Sequence, residues 1–392
     1  MFARMTPARK SLRRITALAA LTFLAACGAV VGPVGDVGQR VTPGAAVPVA
    51  LLVPSGSGQP SDELLAANLE NAARMAIADL NGAEIDLRVY STAGNPAIAA
   101  DAATRAVNDG AKVILGPLYA EAANAAAVAV AGRNVNVLAF SNNPSVAGGN
   151  LFILGPTFSN TANRLAQFGT QRGLSRYLVV HGENVQGQVG RDAILNAVSA
   201  NGGQVVGTLS YPLTQQAIFD AAPSITSAAQ SAGADVVFTT AGPESDLPIL
   251  ATALRDRGLS NAETPLMGIT RWDTIPQILA QPGVQNGYFA LPDALRASIF
   301  ETNYSANYGQ RPHPLAGLAY DGIAAIGALV ANGNGALTRS ALTQAQGFQG
   351  TTGVFRLLPN GMNERALAVA TVRNNQVVIL EAAPRRFGTG GL

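Results

Sequence analysis

The sequence predicts an α/β protein of two lobes, each a mostly parallel sheet flanked by helices. Three observations carry this. Short apolar runs alternate with Ala-rich stretches of helical period along most of the 392 residues, starting at Val49. Between them stand the start and stop signals of strand–helix–strand units, with Asn or Ser before helices and Gly after them. One signature also occurs twice. Gly110-Ala-Lys-Val-Ile-Leu-Gly-Pro117, and Gly233-Ala-Asp-Val-Val-Phe followed by Ala241-Gly242-Pro243, each give a helix end, a Gly-Ala turn, an apolar strand and a Gly-Pro exit. Two such blocks of about 120 residues imply two lobes rather than one sheet.

The chain opens on an address. Residues 1–26 join a basic segment (Arg4, Arg9, Lys10, Arg13, Arg14) to an apolar stretch from Ile15 through Ala26. About a dozen apolar residues fall short of the roughly 20 that span a bilayer and suit the core of a secretory signal. The stretch ends Leu24-Ala25-Ala26-Cys27-Gly28, which is similar to the bacterial lipobox, and Cys27 is the only cysteine. Cys27 is therefore the expected lipidation site, with the lipid as the only membrane attachment. Residues 27–46, rich in Gly, Val and Pro, read as a flexible tether; a short extra strand at Val30-Val31 is the alternative.

The body follows in order. Val49–Val53 is a buried parallel strand closed by Pro54, and Ser61-Asp-Glu63 opens a helix with Leu65, Leu69, Ala73, Ile77 and Leu80 on one face. Ile85–Tyr90 alternates as a strand. Asn95 caps a helix begun by Pro96 and closed by Asp109-Gly110. Lys112–Leu115 is the third strand, residues 120–132 a helix, and Val135–Phe140 the fourth strand. The grammar resumes with a strand at Tyr177–His181, a helix over 190–200, and a strand at Val205–Tyr211. A helix over 217–230 leads into the strand Asp235–Thr239.

Charge and composition exclude several functions. Beyond the leader the chain carries 21 basic and 24 acidic groups, a net −3, which offers no basic stripe for nucleic acid. One cysteine and two histidines, His181 and His313, rule out a disulfide framework and leave little for a metal site. No G-x-S-x-G, H-E-x-x-H, C-x-x-C or phosphate-loop run occurs, and Gly56-Ser-Gly58 and Gly333-Asn-Gly335 lack the third glycine of a dinucleotide fingerprint. His181 beside Glu183 reads as a hydrogen-bonded structural histidine. The expectation is a protein that is not an enzyme and holds no cofactor and no metal.

In open α/β sheets ligands bind beyond the carboxyl ends of the strands. The loops there supply the candidate cleft residues Ser55, Ser57, Tyr119, Glu121, Ser141, Asn142, Asn143, Glu183, Gln186 and Arg271. Ser and Asn are equally expected as turn formers. Trp272, the only tryptophan, is added as a cleft residue, with packing at the lobe edge as its alternative.

Five stretches then define a resemblance: the strand-Pro-x-x-Gly opening, Asn95–Leu118, Val135–Asn143, Gly149–Thr157 and Arg311–Leu329. From Val49 to Pro384 the chain resembles the type I periplasmic binding-protein fold of the Leu/Ile/Val-binding group. The resemblance implies two lobes joined by three crossovers, with 47–155 and 288–345 in lobe 1, 156–287 and 346–384 in lobe 2, and 385–392 a tail. Where amino-acid-binding members place ligand-pairing groups, this chain has Ala120, Asn143, Gln186 and Thr270. A zwitterion enclosed in a dry cleft needs both charges paired, so capture of an amino acid in the usual manner of that group is not expected. Gly116–Ala123, Phe140–Gly148, Gly268–Asp273 and Gly347–Val369 are similar to lipoproteins that activate penicillin-binding proteins, the LppC/LpoA-like group. That similarity implies a non-catalytic regulator of peptidoglycan synthesis, lipid-anchored at the periplasmic face of the outer membrane, with a peptidoglycan synthase as partner. The alternative is an ABC importer's receptor for an amino acid or other small polar solute, with a permease as partner and anchoring to the inner membrane open.

Overall fold

The computed structural model describes residues 36–42, 44–331 and 335–388; the signal segment, Cys27 and the tether as far as residue 35 lie outside the described residues. From Gly38 the chain runs through β1 (Gly38–Arg40), β2 (Val47–Val53), α1 (Pro60–Ala78), β3 (Ile85–Ser91), α2 (Pro96–Asn108), β4 (Val113–Leu115), α3 (Ala120–Val130), β5 (Asn136–Ala139) and β6 (Leu151–Ile153). Strands β2 to β6 form a five-stranded sheet in the order β3-β2-β4-β5-β6, parallel throughout.

A second lobe follows with α4 (Phe158–Gln171), β7 (Arg176–Gly182), α5 (Val185–Ala200), β8 (Gln204–Tyr211), α6 (Gln215–Ser231), β9 (Val236–Thr239), α7 (Leu247–Asp256), β10 (Leu266–Gly268), α8 (Pro276–Leu279) and β11 (Tyr288–Leu291). The chain returns to the first lobe through α9 (Ala294–Tyr308), α10 (Gly317–Ala331), β12 (Ala336–Thr338) and α11 (Arg339–Leu342). A small antiparallel sheet of β13 (Phe348–Gly350), β14 (Gly353–Leu357) and β15 (Asn363–Arg365) comes next. The hairpin β16 (Ala368–Arg373) and β17 (Gln376–Glu381) then completes a seven-stranded sheet, β17-β16-β11-β10-β9-β7-β8. This is the two-lobe type I periplasmic binding-protein architecture.

Local chemistry accounts for the element ends. Asn95 Oδ1 accepts from Ala97 N at 2.8 Å and Ile98 N at 3.2 Å, and Pro96 supplies a preset φ, so α2 starts where the sequence predicts. The β16–β17 turn is Asn374-Asn375, with φ of 51° and 63°, the left-handed pair that a two-residue hairpin requires. The central parallel strands of each sheet are buried on both faces. Val49 and Leu51 face α1 and α10, while Ala50 and Leu52 face α2 and α3. In the second lobe Leu178 and Val180 face α6 and α7, and Val179 faces α4 and α5.

Three expectations change. Strand β1 pairs antiparallel with β12, and Asn134 Nδ2 donates to Gly38 O at 2.8 Å, so residues from Gly38 belong to the body and not to a tether reaching 46. Strand β11 pairs with β10, which moves the return to lobe 1 from 288 to beyond Leu291. Phe348, Phe355 and Leu357 sit in the lobe 1 core, so lobe 2 regains the chain at β16 and not at 346. The start of the expected tail is docked as well: Phe387 is buried beside Val354 and Ala366, with the Arg356 guanidinium 4.7 Å from its ring centre.

Candidate functional site: a cleft between the lobes

A cavity of about 1030 Å³ opens where the carboxyl ends of both sheets face each other. Lobe 1 lends Asn142 and Asn143 from the loop after β5, and Leu315, Leu318 and Asp321 from the start of α10. Lobe 2 lends the first turn of α4, then Gln186, Val189, Asp192 and Asn196 along α5, and Ile269, Thr270 and Arg271 after β10. The floor is the crossover region, with Pro156, Thr157, Pro292, Thr352, Arg365 and Leu367.

The floor is a buried polar network that ties the crossing segments together. Asn363 Nδ2 donates to Ile153 O at 2.9 Å and Gly155 O at 2.8 Å, and Asn160 Nδ2 donates to Asn363 O at 2.8 Å. Arg365 Nη2 donates to Leu154 O at 2.6 Å, and its Nη1 lies 3.1 Å from Asp321 Oδ2. Asp321 Oδ1 accepts from Thr351 N at 2.7 Å and Thr351 Oγ1 at 3.0 Å. Asp321 is 1% exposed and Arg365 6%, so this pair is desolvated and each partner requires the other.

Every charged group on the wall has an ionic partner. Besides Asp321–Arg365 there are Arg271–Asp273 at 2.5 Å and Asp192–Arg191 at 2.7 Å, both near solvent. His313, beside the wall residues Pro314 and Leu315, is held below its ordinary value by burial, and its Nδ1 accepts from Leu315 N at 3.2 Å, so it adds no positive charge at neutral pH. The uncommitted side chains are neutral: Asn142, Gln186 and Asn196 are exposed and make no hydrogen bond within the protein. Thr270 is tied down by its Oγ1 donating to Ala241 O at 2.8 Å.

Of the residues predicted from sequence, the structure brings Asn142, Asn143, Gln186 and Arg271 together on the wall. The others are engaged elsewhere. Ser55 Oγ pairs with Ser91 Oγ at 2.6 Å, and Ser57 Oγ accepts from Gln59 N at 3.1 Å. Tyr119 Oη donates to Asp62 Oδ1 at 2.5 Å, a bond that, with burial, raises the phenol above its usual range. Glu121 lies exposed in the first turn of α3. Ser141 is buried with its Oγ accepting from Asn143 N at 3.1 Å, a positioning contact one shell behind the wall. Glu183 accepts from Ser210 Oγ at 2.9 Å. Trp272 is a core residue: it is 0% exposed and stacks on Phe289 with ring centres 5.4 Å apart. Gly268 leaves the room for its indole; a methyl there would meet Trp272 Cε2 at 2.8 Å. His181 is buried with Nδ1 2.9 Å from Gly182 O, a structural contact.

Sequence reasoning missed Thr157, Asp192, Asn196, Asp321 and Arg365. Asp321 carried a usable signal, since it is the one charged residue in the otherwise apolar α10 and a lone buried charge needs a partner. Thr157 closes the Gly149–Thr157 stretch and stands as the N-cap of α4, a usable signal, while the other three sit among ordinary helix and strand residues with nothing to distinguish them.

Comparison with known proteins agrees with this architecture. The sequence pattern of a protein family described as periplasmic binding protein matches residues 46–376. No curated protein matches the chain. A protein from Rhodospirillum rubrum assigned to a branched-chain amino acid ABC transporter superposes with a TM-score of 0.71 at 18% identity, covering 86% of this chain and 100% of its own. An ABC transporter substrate-binding protein from Desulfitobacterium hafniense in complex with Leu gives a TM-score of 0.58 at 16% identity, covering 86% and 100%. An ABC transporter solute binding protein from Rhodopseudomonas palustris, in complex with 3,4-dihydroxy benzoic acid, gives 0.52 at 18% identity, covering 87% and 98%.

Proposed function

The chain belongs to the periplasmic binding protein family, and from that premise we propose that it is the solute-binding receptor of an ABC importer, enclosing a small polar solute between its lobes. One observation carries the proposal: the cleft at the strand ends presents uncommitted amides from both lobes, Asn142 on one and Gln186 and Asn196 on the other. In the open cleft such groups bond to water, and a polar solute enclosed by lobe closure would replace that water with contacts from both sides. The relatives named above support the same choice over a cell-wall synthase activator, the first expectation from the sequence. The protein acts in the periplasm as a binder and not an enzyme, and Cys27 anchors it by lipid, a permease being its protein partner.

The test is a thermal-shift screen of the full chain against amino acids, organic acids, sugars and short peptides. A solute at 100 times its Kd should add about 2.7 kcal/mol of stability, and small-angle scattering should show contraction with the same solute. Absence of any shift, together with capture of a glycosyltransferase/transpeptidase, would return the activator reading to first place. Mass spectrometry of the mature N-terminus checks acylation at Cys27.

A further inference from the structure

The charge layout of the cleft selects among solutes. This step rests on the receptor reading and narrows it. Among the residues that line the cavity, two carry buried polar atoms without a partner: Thr157 Oγ1 and Arg365 Nε. Both can donate, both residues are more than nine-tenths buried, and both stand on the floor. Thr157 caps α4, a helix of 14 residues with no acidic residue in its first turn. Thr157 and Asn160 form a capping box: Asn160 Oδ1 accepts from Thr157 N at 2.9 Å and Thr157 Oγ1 faces Asn160 N, whose hydrogen bond goes to Thr157 O at 3.1 Å, so the hydroxyl keeps its proton to donate. The opening amides of a helix have no intrahelical acceptor and favour negative charge.

The opposite sign has no counterpart. The wall holds two carboxylates. Asp321 is consumed by Arg365 and Thr351, and Asp192 is paired to Arg191 on the exposed face of α5. No carboxylate on the cavity lining is free to take an ammonium, and the one unfilled acceptor of the floor network, Asn363 Oδ1, is neutral and does not line the cavity, whereas unfilled donors and a helix N-terminus do. Around them the wall is apolar, with Phe158, Val189, Ile269, Leu315 and Met362.

We propose that the solute is a small organic carboxylate without an α-ammonium group, seated with its carboxylate at the N-terminus of α4 against Thr157 Oγ1 and its apolar body between the lobes. Arg271, itself exposed and held by the half-buried Asp273 through Nε at 3.0 Å and Nη2 at 2.5 Å, faces the acid from lobe 2, and Asn142, Gln186 and Asn196 read hydroxyl or carbonyl substituents.

Calorimetric titration of the full chain, freed of co-purified solute, with matched pairs tests this. The pairs are leucine with 4-methyl-2-oxopentanoate and phenylalanine with phenylpyruvate; 4-hydroxybenzoate is added as an aromatic acid. At least one acid should bind, and wherever an acid of a pair binds, its amino partner should bind at least about 100-fold more weakly, because its ammonium is left unpaired. Thr157→Val should weaken the acid roughly tenfold by removing one hydrogen bond to a charge, whereas Thr157→Ser, which keeps the hydroxyl, should bind it as the parent does. An amino acid that binds as tightly as its acid, with binding lost in Asp192→Asn, overturns the inference and leaves the receptor reading standing. Binding of a sugar or peptide with none of the acids does the same. Failure of every solute class removes both.

Discussion

Replacing Asp321 by Asn changes charge with almost no change of shape, and the surroundings fix what that costs. The asparagine can still accept from Thr351 N and Thr351 Oγ1, now 2.7 and 3.0 Å from Asp321 Oδ1. It cannot neutralise Arg365, which stays 6% exposed with two neutral acceptors, Leu154 O at 2.6 Å and Thr352 Oγ1 at 3.3 Å. Removing one member of a buried pair costs about 3–5 kcal/mol, and the retained hydrogen bonds place Asp321→Asn near the lower end, about 3 kcal/mol. That is a large part of a total stability of roughly 5–15 kcal/mol. Removing both charges in Asp321→Leu/Arg365→Met should recover most of the loss, since the second change takes away the stranded cation. Urea unfolding followed by circular dichroism measures both lobes, and Trp272 fluorescence follows lobe 2 alone, so a defect starting in lobe 1 lowers the first midpoint at least as far as the second. A single variant within about 1 kcal/mol of the parent, or a double variant worse than the single, would refute the desolvated-pair reasoning.

Three further outcomes follow from other parts of the molecule. Tyr211→Phe removes the buried donor that reaches Asp246 Oδ2 at 2.6 Å and should lower stability by about 1–3 kcal/mol, read by Trp272 fluorescence in urea; an unchanged midpoint contradicts it. Gly268→Ala drives a methyl into the Trp272 indole and should cost about 1–3 kcal/mol with a shifted emission maximum, while a native spectrum would show that the indole has room. Burial holds His313 below its ordinary value of about 6.5, so the unfolded chain takes up the proton first as pH falls. The stability this group contributes is present above about pH 6.5 and lost as pH drops through the folded-state value. His313→Gln should therefore flatten the fall of the urea midpoint between about pH 7.5 and about pH 5, and a parallel fall in both proteins sinks the assignment.

The fold was legible because its strands are buried on both faces. Val49–Val53 and Tyr177–His181 read as unbroken apolar runs, and caps such as Asn95-Pro96 mark helix starts without help from tertiary contacts. Boundaries set by partners distant in sequence were not legible. Strand β1 exists because Ala336–Thr338 offers an edge almost 300 residues later, and nothing in Gly38-Gln-Arg40 announces that. The cleft was half legible for a related reason. Strand-end position found Asn142, Asn143, Gln186 and Arg271, but the same rule gathered Ser55, Tyr119 and Glu183, whose side chains are taken up by Ser91, Asp62 and Ser210. Trp272 failed in the opposite sense, because the space it fills is made by Gly268 at the end of β10 and Gly287 just before β11. Arg365 is invisible in sequence, since its role depends on a pairing with Asp321 across 44 residues.

The cleft divides into parts that differ in freedom. Its floor is locked: Asn363, Arg365 and Asn160 bond backbone atoms of the first and third crossovers, and Asp293 N donates to Thr352 O at 3.0 Å to tie in the second. Breaking any of these strands a buried polar group, so the floor moves as one piece with the hinge. The rims are freer: Asn142 and Gln186 are exposed and unbonded, and Arg271 is exposed beside its partner Asp273. A carboxylate meeting the floor therefore finds its donors already in place and loses little to reorganisation, whereas substituents on its body must draw the rims in and order them. Charge is then selected before the lobes close and shape during closure. Substitutions at Thr157 should change affinity for every acid by a similar factor, while substitutions at Asn142 or Gln186 should change the ranking among acids and reduce the contraction seen on binding.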